Sequence, residues 1–421
     1  MKAIIIFNFL ISMVFTLCYA YQFFYVFVGL FKKHKKYRAD KNHHYAIVIS
    51  ARNEATVIGN LIQSINEQSY PKELIDIFVI ADNCTDDTAL VARQEGATVY
   101  ERFDQTLVGK GYALDWFFKK LEEENKTEFD GYIIFDADNV LDREFITEMN
   151  KVFDNGYPIV TSYRNSKNYG KNWITAGYSL WFLREAKYLN GPRMMLGTSC
   201  AISGTGFLIG AEIIKESGGW IHHLLTEDIE FTTDSIINGK KIGYSANSVL
   251  YDEQPTKFSQ SYVQRLRWSK GFYQVFMTYG KKLIKGISKK NFACYDMLMT
   301  LMPAMLLTLI SVAVNIIAIP LGIISQSSEL LALMKVLAQT LLSFYTIFFV
   351  LGLITTITEW KNIYCRKSHK IFYIFTFPLF MMTYIPISII ALFKKVEWSP
   401  IKHSVNVSVS DICSGDATLK K

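Results

Sequence analysis

The chain has 421 residues, 45 Lys and Arg against 38 Asp and Glu, a formal net charge of +7, and a half-hydrophobic composition. That basic excess is modest and gathers beside apolar runs, so it points to a membrane surface and gives no reason to expect nucleic acid as a partner. Six scattered cysteines with no C-x-x-C pair exclude a zinc-finger or dithiol framework and read as reduced thiols.

The first predicted element is an apolar run, Lys2–Phe31, with no charge between Lys2 and Lys32. It is long enough to cross a bilayer, which takes about 20 residues, and exceeds the apolar core of a cleaved signal, about 7 to 15 residues. A membrane anchor is expected. Lys32, Lys33, Lys35, Lys36 and Arg38 follow at once and place the next segment in the cytoplasm by the positive-inside rule.

Residues 45–290 read as a soluble α/β domain ending in an interfacial helix. Residues 45–50, YAIVIS, form a strand, and Val57, Ile58, Leu61, Ile62 and Ile65 mark a helix that ends before Pro71. A second strand at 75–80 enters the motif ADNCTDDT, where Thr85 or Asp86 caps a helix over 88–95. Gly96, a strand at 98–101, a helix over 110–123 and a strand at 132–135 complete the alternation. Such alternation predicts a mainly parallel sheet with helices on both faces. Ligands of such sheets collect at the carboxyl ends of the strands. Glu54, Asp82, Asp136 and Asp138 all fall there.

Phe135-Asp136-Ala137-Asp138-Asn139 sets two carboxylates one residue apart after a buried strand. Hard cations such as Mg²⁺ or Mn²⁺ take oxygen ligands of this kind and bridge them to a diphosphate. Alone, the pair also fits a solvated loop or a helix cap. Further on, Thr226-Glu227-Asp228 offers a general base, and Gln264-Arg265-Leu266-Arg267-Trp268 lies on a helix. There an arginine could grip phosphate and a tryptophan could stack on a sugar. The bland alternatives are a helix cap at Asp228, a lipid contact at Arg267 and an interfacial anchor at Trp268.

Residues 295–393 return to the membrane in about three segments, 297–324, 330–357 and 371–393, and residues 394–421 form a tail. The loop over 360–370 is basic and is expected in the cytoplasm. Strict alternation of four spans puts the tail outside, whereas Lys394, Lys395 and Lys402 favour inside. Pro378 and Pro386 would reconcile the two by making the last segment re-entrant.

In combination, ARNE, ADNCTDD, FDADN, SGTG, TEDIE and QRLRW resemble the processive branch of family 2 glycosyltransferases over nearly the whole chain. That group contains the cellulose, hyaluronan and poly-N-acetylglucosamine synthases. The resemblance implies a GT-A type nucleotide-sugar-binding domain inserted between transmembrane helices. It assigns Glu54 and Asp82 to the uridine, Asp136 and Asp138 to the diphosphate and its Mg²⁺ or Mn²⁺, and Lys110 to the nucleotide's surroundings. Asp228 becomes the catalytic base and Arg267 a diphosphate ligand. Gly204, Thr205, Glu227, Gln264 and Trp268 fall on the acceptor side. Two departures stand out: Ser203 where cellulose synthases usually have Cys, and Trp398-Ser399-Pro400-Ile401-Lys402-His403, which matches neither known version of the C-terminal nucleotide-closing element.

The function implied is inverting transfer from a UDP-sugar, UDP-N-acetylglucosamine before UDP-glucose, to a growing β-linked polysaccharide at the plasma membrane. The enzyme would be multi-pass with a cytoplasmic catalytic domain, and an oligomer or export partner could help the polymer across. A second reading is a non-processive enzyme adding one sugar to a lipid acceptor such as a polyprenyl phosphate or diacylglycerol. It keeps the acidic motifs, but QRLRW accompanies chain extension in the family and weighs against it. A third, a nucleotide-sensing transporter, would not need Asp228 beside a metal pair, and its spans lack the buried charges of ion-coupled transport.

Overall fold

The computed structural model describes residues 2–324 and 328–414. The β-branched runs form one eight-stranded mixed sheet. Its strands are β1 (Tyr45–Ala51), β2 (Ile75–Asp82), β3 (Thr98–Arg102), β4 (Gly131–Asp136), β5 (Val140–Leu141), β6 (Ile159–Ser166), β7 (Phe207–Gly210) and β8 (Ile242–Asp252). Their order is β3-β2-β1-β4-β7-β6-β8-β5.

The first four strands are parallel, as their alternation with helices predicts. Ser50 of β1 lies opposite both Ile80 of β2 and Asp136 of β4, so the three strands end level. Their acidic continuations therefore emerge on one rim. The other half was not visible in the periodicity. There β7 runs antiparallel to β4 and β6, and β5 antiparallel to β8, while β6 and β8 pair in parallel. A four-residue β7 and a β6 with buried Thr161, Ser162, Asn165 and Ser166 carry no clean hydrophobic period.

Helices Ile58–Asn66, Lys110–Glu123 and Phe145–Asp154 cover the sheet through apolar stripes such as Leu114, Phe117, Phe118 and Leu121. Each fully buried side chain of this size contributes about 1.5–3 kcal/mol. At the rim, Asn53 and Asn83 take left-handed backbone angles, φ 59° and 52°, in the turns just past β1 and β2. Asparagine tolerates this region better than most residues. The Asn53 side chain also accepts from the Thr85 N–H at 2.7 Å and so locks the two turns together.

Among the described residues, four helices or helix pairs are long and apolar enough to cross a membrane: Lys2–Phe31, Phe292–Ile324, Leu330–Thr358 and Lys367–Phe393. The first and second join through Asn8 and Asn315, whose amides exchange hydrogen bonds of 3.0 and 2.9 Å. The last segment consists of two helices, Lys367–Met382 and Tyr384–Phe393, that meet at Thr383, itself helical at φ −65°, ψ −15°. Its first half packs on helix Trp173–Glu185, where Phe380 lies against Gly177, and its second half packs on the 31-residue helix Phe258–Ser288. Those two helices form the floor of the sheet domain on the apolar side.

Candidate active site

A cavity of about 580 Å³ opens at the rim of the sheet. Glu54, Asp82, Lys110, Asp136, Asp138, Gly204, Glu227, Asp228, Gln264, Arg267 and Trp268 all line it. Thr205, the remaining residue singled out in the sequence, lies just beneath, its hydroxyl accepting from the Asp136 N–H at 2.8 Å. Residues spread over more than 200 positions thus converge on one space.

Lys110 opens helix Lys110–Glu123 after Gly109, whose φ of 136° suits glycine alone. Its ammonium donates to Asp136 Oδ1 at 2.5 Å and to the Gly204 carbonyl at 2.9 Å. Gly204 turns with φ 80°, and a methyl there would lie 3.4 Å from Arg164 and 4.0 Å from Asp228 Oδ2. The backbone beside the carboxylate is kept bare.

Glu227 and Asp228 begin helix Glu227–Ile237. Burial, then the neighbouring Asp228, pushes the Glu227 carboxyl up to about 7. Burial raises Asp228 too, against opposition from backbone groups at Ile229 and Gly204 and from Lys110. A carboxyl lifted in this way is poised to exchange a proton near neutrality.

Asp82 is 5% exposed and accepts from Arg102 at 2.6 Å, a partner the sequence did not reveal. Arg164, also unforeseen, pairs with Asp252, donates to the Ser203 carbonyl at 2.8 Å and sits 3.9 Å from the Phe182 ring centre. Asp252, driven up first by burial to about 6, and Glu253 add to the carboxylate wall. His403 of the C-terminal tail answers it: Nδ1 lies 2.8 Å from Glu54 Oε1 and Nε2 3.7 Å from Asp138 Oδ2. Burial opposes its charge, yet Asp138, Glu54 and Glu253 outweigh burial and hold the imidazolium up to about 10.

Within Gln264 to Trp268 the roles divide. Arg265 is fully buried, its guanidinium 4.6 Å from the Phe380 ring centre and 5.0 Å from that of Tyr384, and it serves packing. Gln264 Oε1 and Arg267 Nε are buried without hydrogen-bond partners on the cavity wall. Buried polar atoms left open in this way are matched to a ligand or to water. Trp398 stacks near both Arg52 and Arg267, 5.2 and 5.9 Å from its ring, and roofs the cavity.

The donor chemistry fits a hard divalent cation held jointly with phosphate. Asp136 and Asp138 supply oxygen, and Glu54, Asp252 and Glu253 leave the region rich in negative charge. No cluster of three or more metal-binding side chains forms a complete cage among the described residues. Mg²⁺ and Mn²⁺ at nucleotide sites are commonly held by one or two carboxylates plus substrate phosphates.

The family model for "Glycosyltransferase like family 2" matches residues 43–271, more than half of the chain, and the chain belongs to that family. A mannosyltransferase from Pyrobaculum calidifontis, PcManGT, in complex with GDP-Man and Mn²⁺, superposes with a TM-score of 0.59 at 14% identity. The match covers 92% of this chain and 99% of that one and identifies the sheet domain as a GT-A fold. Among curated proteins, β-monoglucosyldiacylglycerol synthase of Synechocystis sp. is 24% identical over 243 residues, 55% of this chain and 48% of its own. 4,4'-Diaponeurosporenoate glycosyltransferase of Staphylococcus aureus is 48% identical over 66 residues, 16% of either chain. The chain spans about half the length of the first curated relatives it matches. None of these names is that of a polysaccharide synthase, and membership of the processive branch does not follow from the family match.

Proposed function

We propose that the protein is a membrane-bound glycosyltransferase that moves a single sugar from a nucleoside diphosphate sugar to a lipid acceptor. One observation carries this. The cavity that holds Lys110, Asp136 and Asp228 continues without a break to Phe15, Tyr19 and Phe23 of the N-terminal helix and to Ile347, Phe348 and Leu351 of helix Leu330–Thr358. A lipid chain finds mostly apolar walls there, whereas a polysaccharide would find few hydrogen-bond partners for its many hydroxyls. The similarity to a relative named β-monoglucosyldiacylglycerol synthase supports the same choice. The second of the two enzymatic readings of the sequence therefore replaces the first.

In this reading UDP lies against Glu54 and Asp82, with its diphosphate between Lys110 and Arg267. The acceptor hydroxyl attacks the anomeric carbon from the side opposite UDP while Asp228 takes its proton, so an α-linked donor yields a β-linked product. The carbon–oxygen bond to UDP breaks and the electron pair leaves with the diphosphate. Lys110 and Arg267 stabilise that charge in a partly dry cleft. A divalent metal at Asp136 and Asp138, when bound, supplies further neutralisation of the leaving group. Trp398 and His403 close the cleft over the donor. The basic run after Phe31 supports placing the catalytic domain on the cytoplasmic face of the plasma membrane.

The test is transfer by the full chain in lipid nanodiscs from labelled UDP-glucose and UDP-N-acetylglucosamine with Mn²⁺ or Mg²⁺. A single labelled lipid, metal-dependent and absent for Asp228→Asn, supports single transfer. High-mass labelled polymer would return the function to the processive branch.

A further inference from the structure

We propose that the apolar half of the cavity contains a subsite for an acidic lipid headgroup, carboxylate or phosphate, centred on Arg184. The inference rests on the lipid-acceptor reading and narrows it from lipids in general to anionic ones that also carry the hydroxyl Asp228 deprotonates.

Arg184 occupies the last turn of helix Trp173–Glu185 and lines the cavity where the sheet domain meets the N-terminal helix. It is 6% exposed. Its guanidinium stacks 4.8 Å from the Trp181 ring centre and donates to Gln22 Oε1 at 2.7 Å, leaving Nε without a hydrogen-bond partner. Among the described residues no carboxylate forms an ion pair with it.

Two other arginines that line the cavity are neutralised. Arg193 makes a two-bonded pair with Asp296 at 2.8 and 2.7 Å, and Arg164 pairs with Asp252. Glu185, the acid next to Arg184 in the chain, turns instead to Ser203, whose hydroxyl donates to it at 3.3 Å. Burial draws Arg184 down from its ordinary value to about 10, with Glu185 only partly opposing, so the group stays charged at neutral pH.

A guanidinium removed from water with no carboxylate bonded to it is costly, and a face of tryptophan, one amide oxygen and the unbonded Glu185 charge offset only part of that cost. The geometry that would offset the rest is an oxyanion, which the planar fork of arginine binds through two parallel hydrogen bonds. Ser203 precedes Gly204, whose bare backbone faces Asp228. A headgroup held at Arg184 is thus bounded on one side by apolar helices and on the other by the segment that leads to the base.

The experiment measures binding to the full-length protein in neutral detergent by calorimetry, using dodecyl phosphate, dodecanoate, dodecanol and inorganic phosphate, with UDP titrated in parallel. At least one anionic amphiphile is expected to bind about ten-fold or more tightly than dodecanol, the loss expected when a charge-assisted pair is absent. Arg184→Gln should erase that preference and leave UDP affinity within about two-fold, and Arg184→Lys should retain part of it. Equal binding of dodecanol, or an anion preference surviving in Arg184→Gln, overturns the proposal. Inorganic phosphate binding as tightly as dodecyl phosphate would overturn its lipid component. If Arg184→Gln loses UDP binding through misfolding, Arg184→Lys decides: a reduced anion preference with UDP affinity intact supports the subsite, and a preference undiminished from wild type overturns it. Failure of the wild type to bind UDP counts against the transferase reading, and the amphiphile comparison still judges Arg184.

Discussion

His403 and Glu54 lie 349 positions apart in the chain, yet the imidazole Nδ1 and the carboxylate Oε1 are 2.8 Å from each other. The contact ties the C-terminal tail to the first turn of the GT-A sheet, and the same ring faces Asp138 at 3.7 Å. One cation therefore serves two carboxylates at the sheet-rim end of the cavity.

His403→Ala removes that cation while keeping the carboxylates. UDP affinity is expected to fall about five- to ten-fold when divalent metal is scarce, the scale of one charge-assisted contact. Saturating Mn²⁺ should recover most of the loss, because the metal supplies the missing positive charge. Calorimetric titration of UDP at several Mn²⁺ concentrations checks this. An affinity identical to wild type throughout would mean that the tail does not contribute to the donor site.

Asp228→Asn preserves shape and removes the proton acceptor. The turnover number should fall by about 10²- to 10⁴-fold, the range for loss of a general base, with donor affinity nearly unchanged. Single-turnover transfer set beside UDP binding separates the two. A comparable loss of donor binding would assign Asp228 to the nucleotide instead.

Glu227 and Asp228 also set a pH dependence. Burial raises both carboxyls, Glu227 to about 7 and Asp228 above its ordinary carboxylate range, so acid disables the base earlier than it would an exposed aspartate. Transfer should therefore climb with pH as Asp228 loses its proton and level off above that. Stability runs the other way for Glu227: its folded form favours the proton, so stability is full below the ordinary carboxyl range and declines as pH rises through about 7. Glu227→Gln should move the acidic limb of the rate profile lower, since Asp228 then loses its charged neighbour. A limb that stays in place would assign the titration to another group.

The sequence made the acidic rim of this site legible because each acidic residue follows a strand whose period is clear. The strand pattern alone sets Glu54, Asp82, Asp136 and Asp138 on one rim, and Asp228 and Arg267 join them through motif chemistry. What stayed hidden is what long-range folding decides. Arg102, Arg164 and Asp252 sit on strands with no motif around them, and Arg184 looks like an ordinary helix-end arginine until Gln22 of the N-terminal helix is seen beside it. Antiparallel β7 was missed for a related reason, since Phe207–Gly210 is too short to show a period and its direction is set by its neighbours. Arg265 carried the opposite lesson, as a motif residue that packs against aromatic rings and leaves the cavity to Gln264 and Arg267.

The joint between the sheet domain and the apolar helices offers the sharpest stability test. Asp296, 1% exposed, accepts two bonds from Arg193 and one each from Tyr21 and Tyr25, at 2.9 and 2.8 Å. Two cavity-lining helices are thereby fixed to one carboxylate. Asp296→Asn strands a buried arginine and should cost about 3–5 kcal/mol, because removing one member of a buried pair leaves the other charge uncompensated. Replacing both partners, Arg193→Met with Asp296→Leu, should recover much of that loss by exchanging a desolvated pair for apolar packing. Thermal unfolding in detergent, with UDP binding as a check on the intact sheet domain, measures both variants. A double variant as unstable as the single one would show that the tyrosine hydroxyls, left without their acceptor, matter more to the joint than the ion pair does.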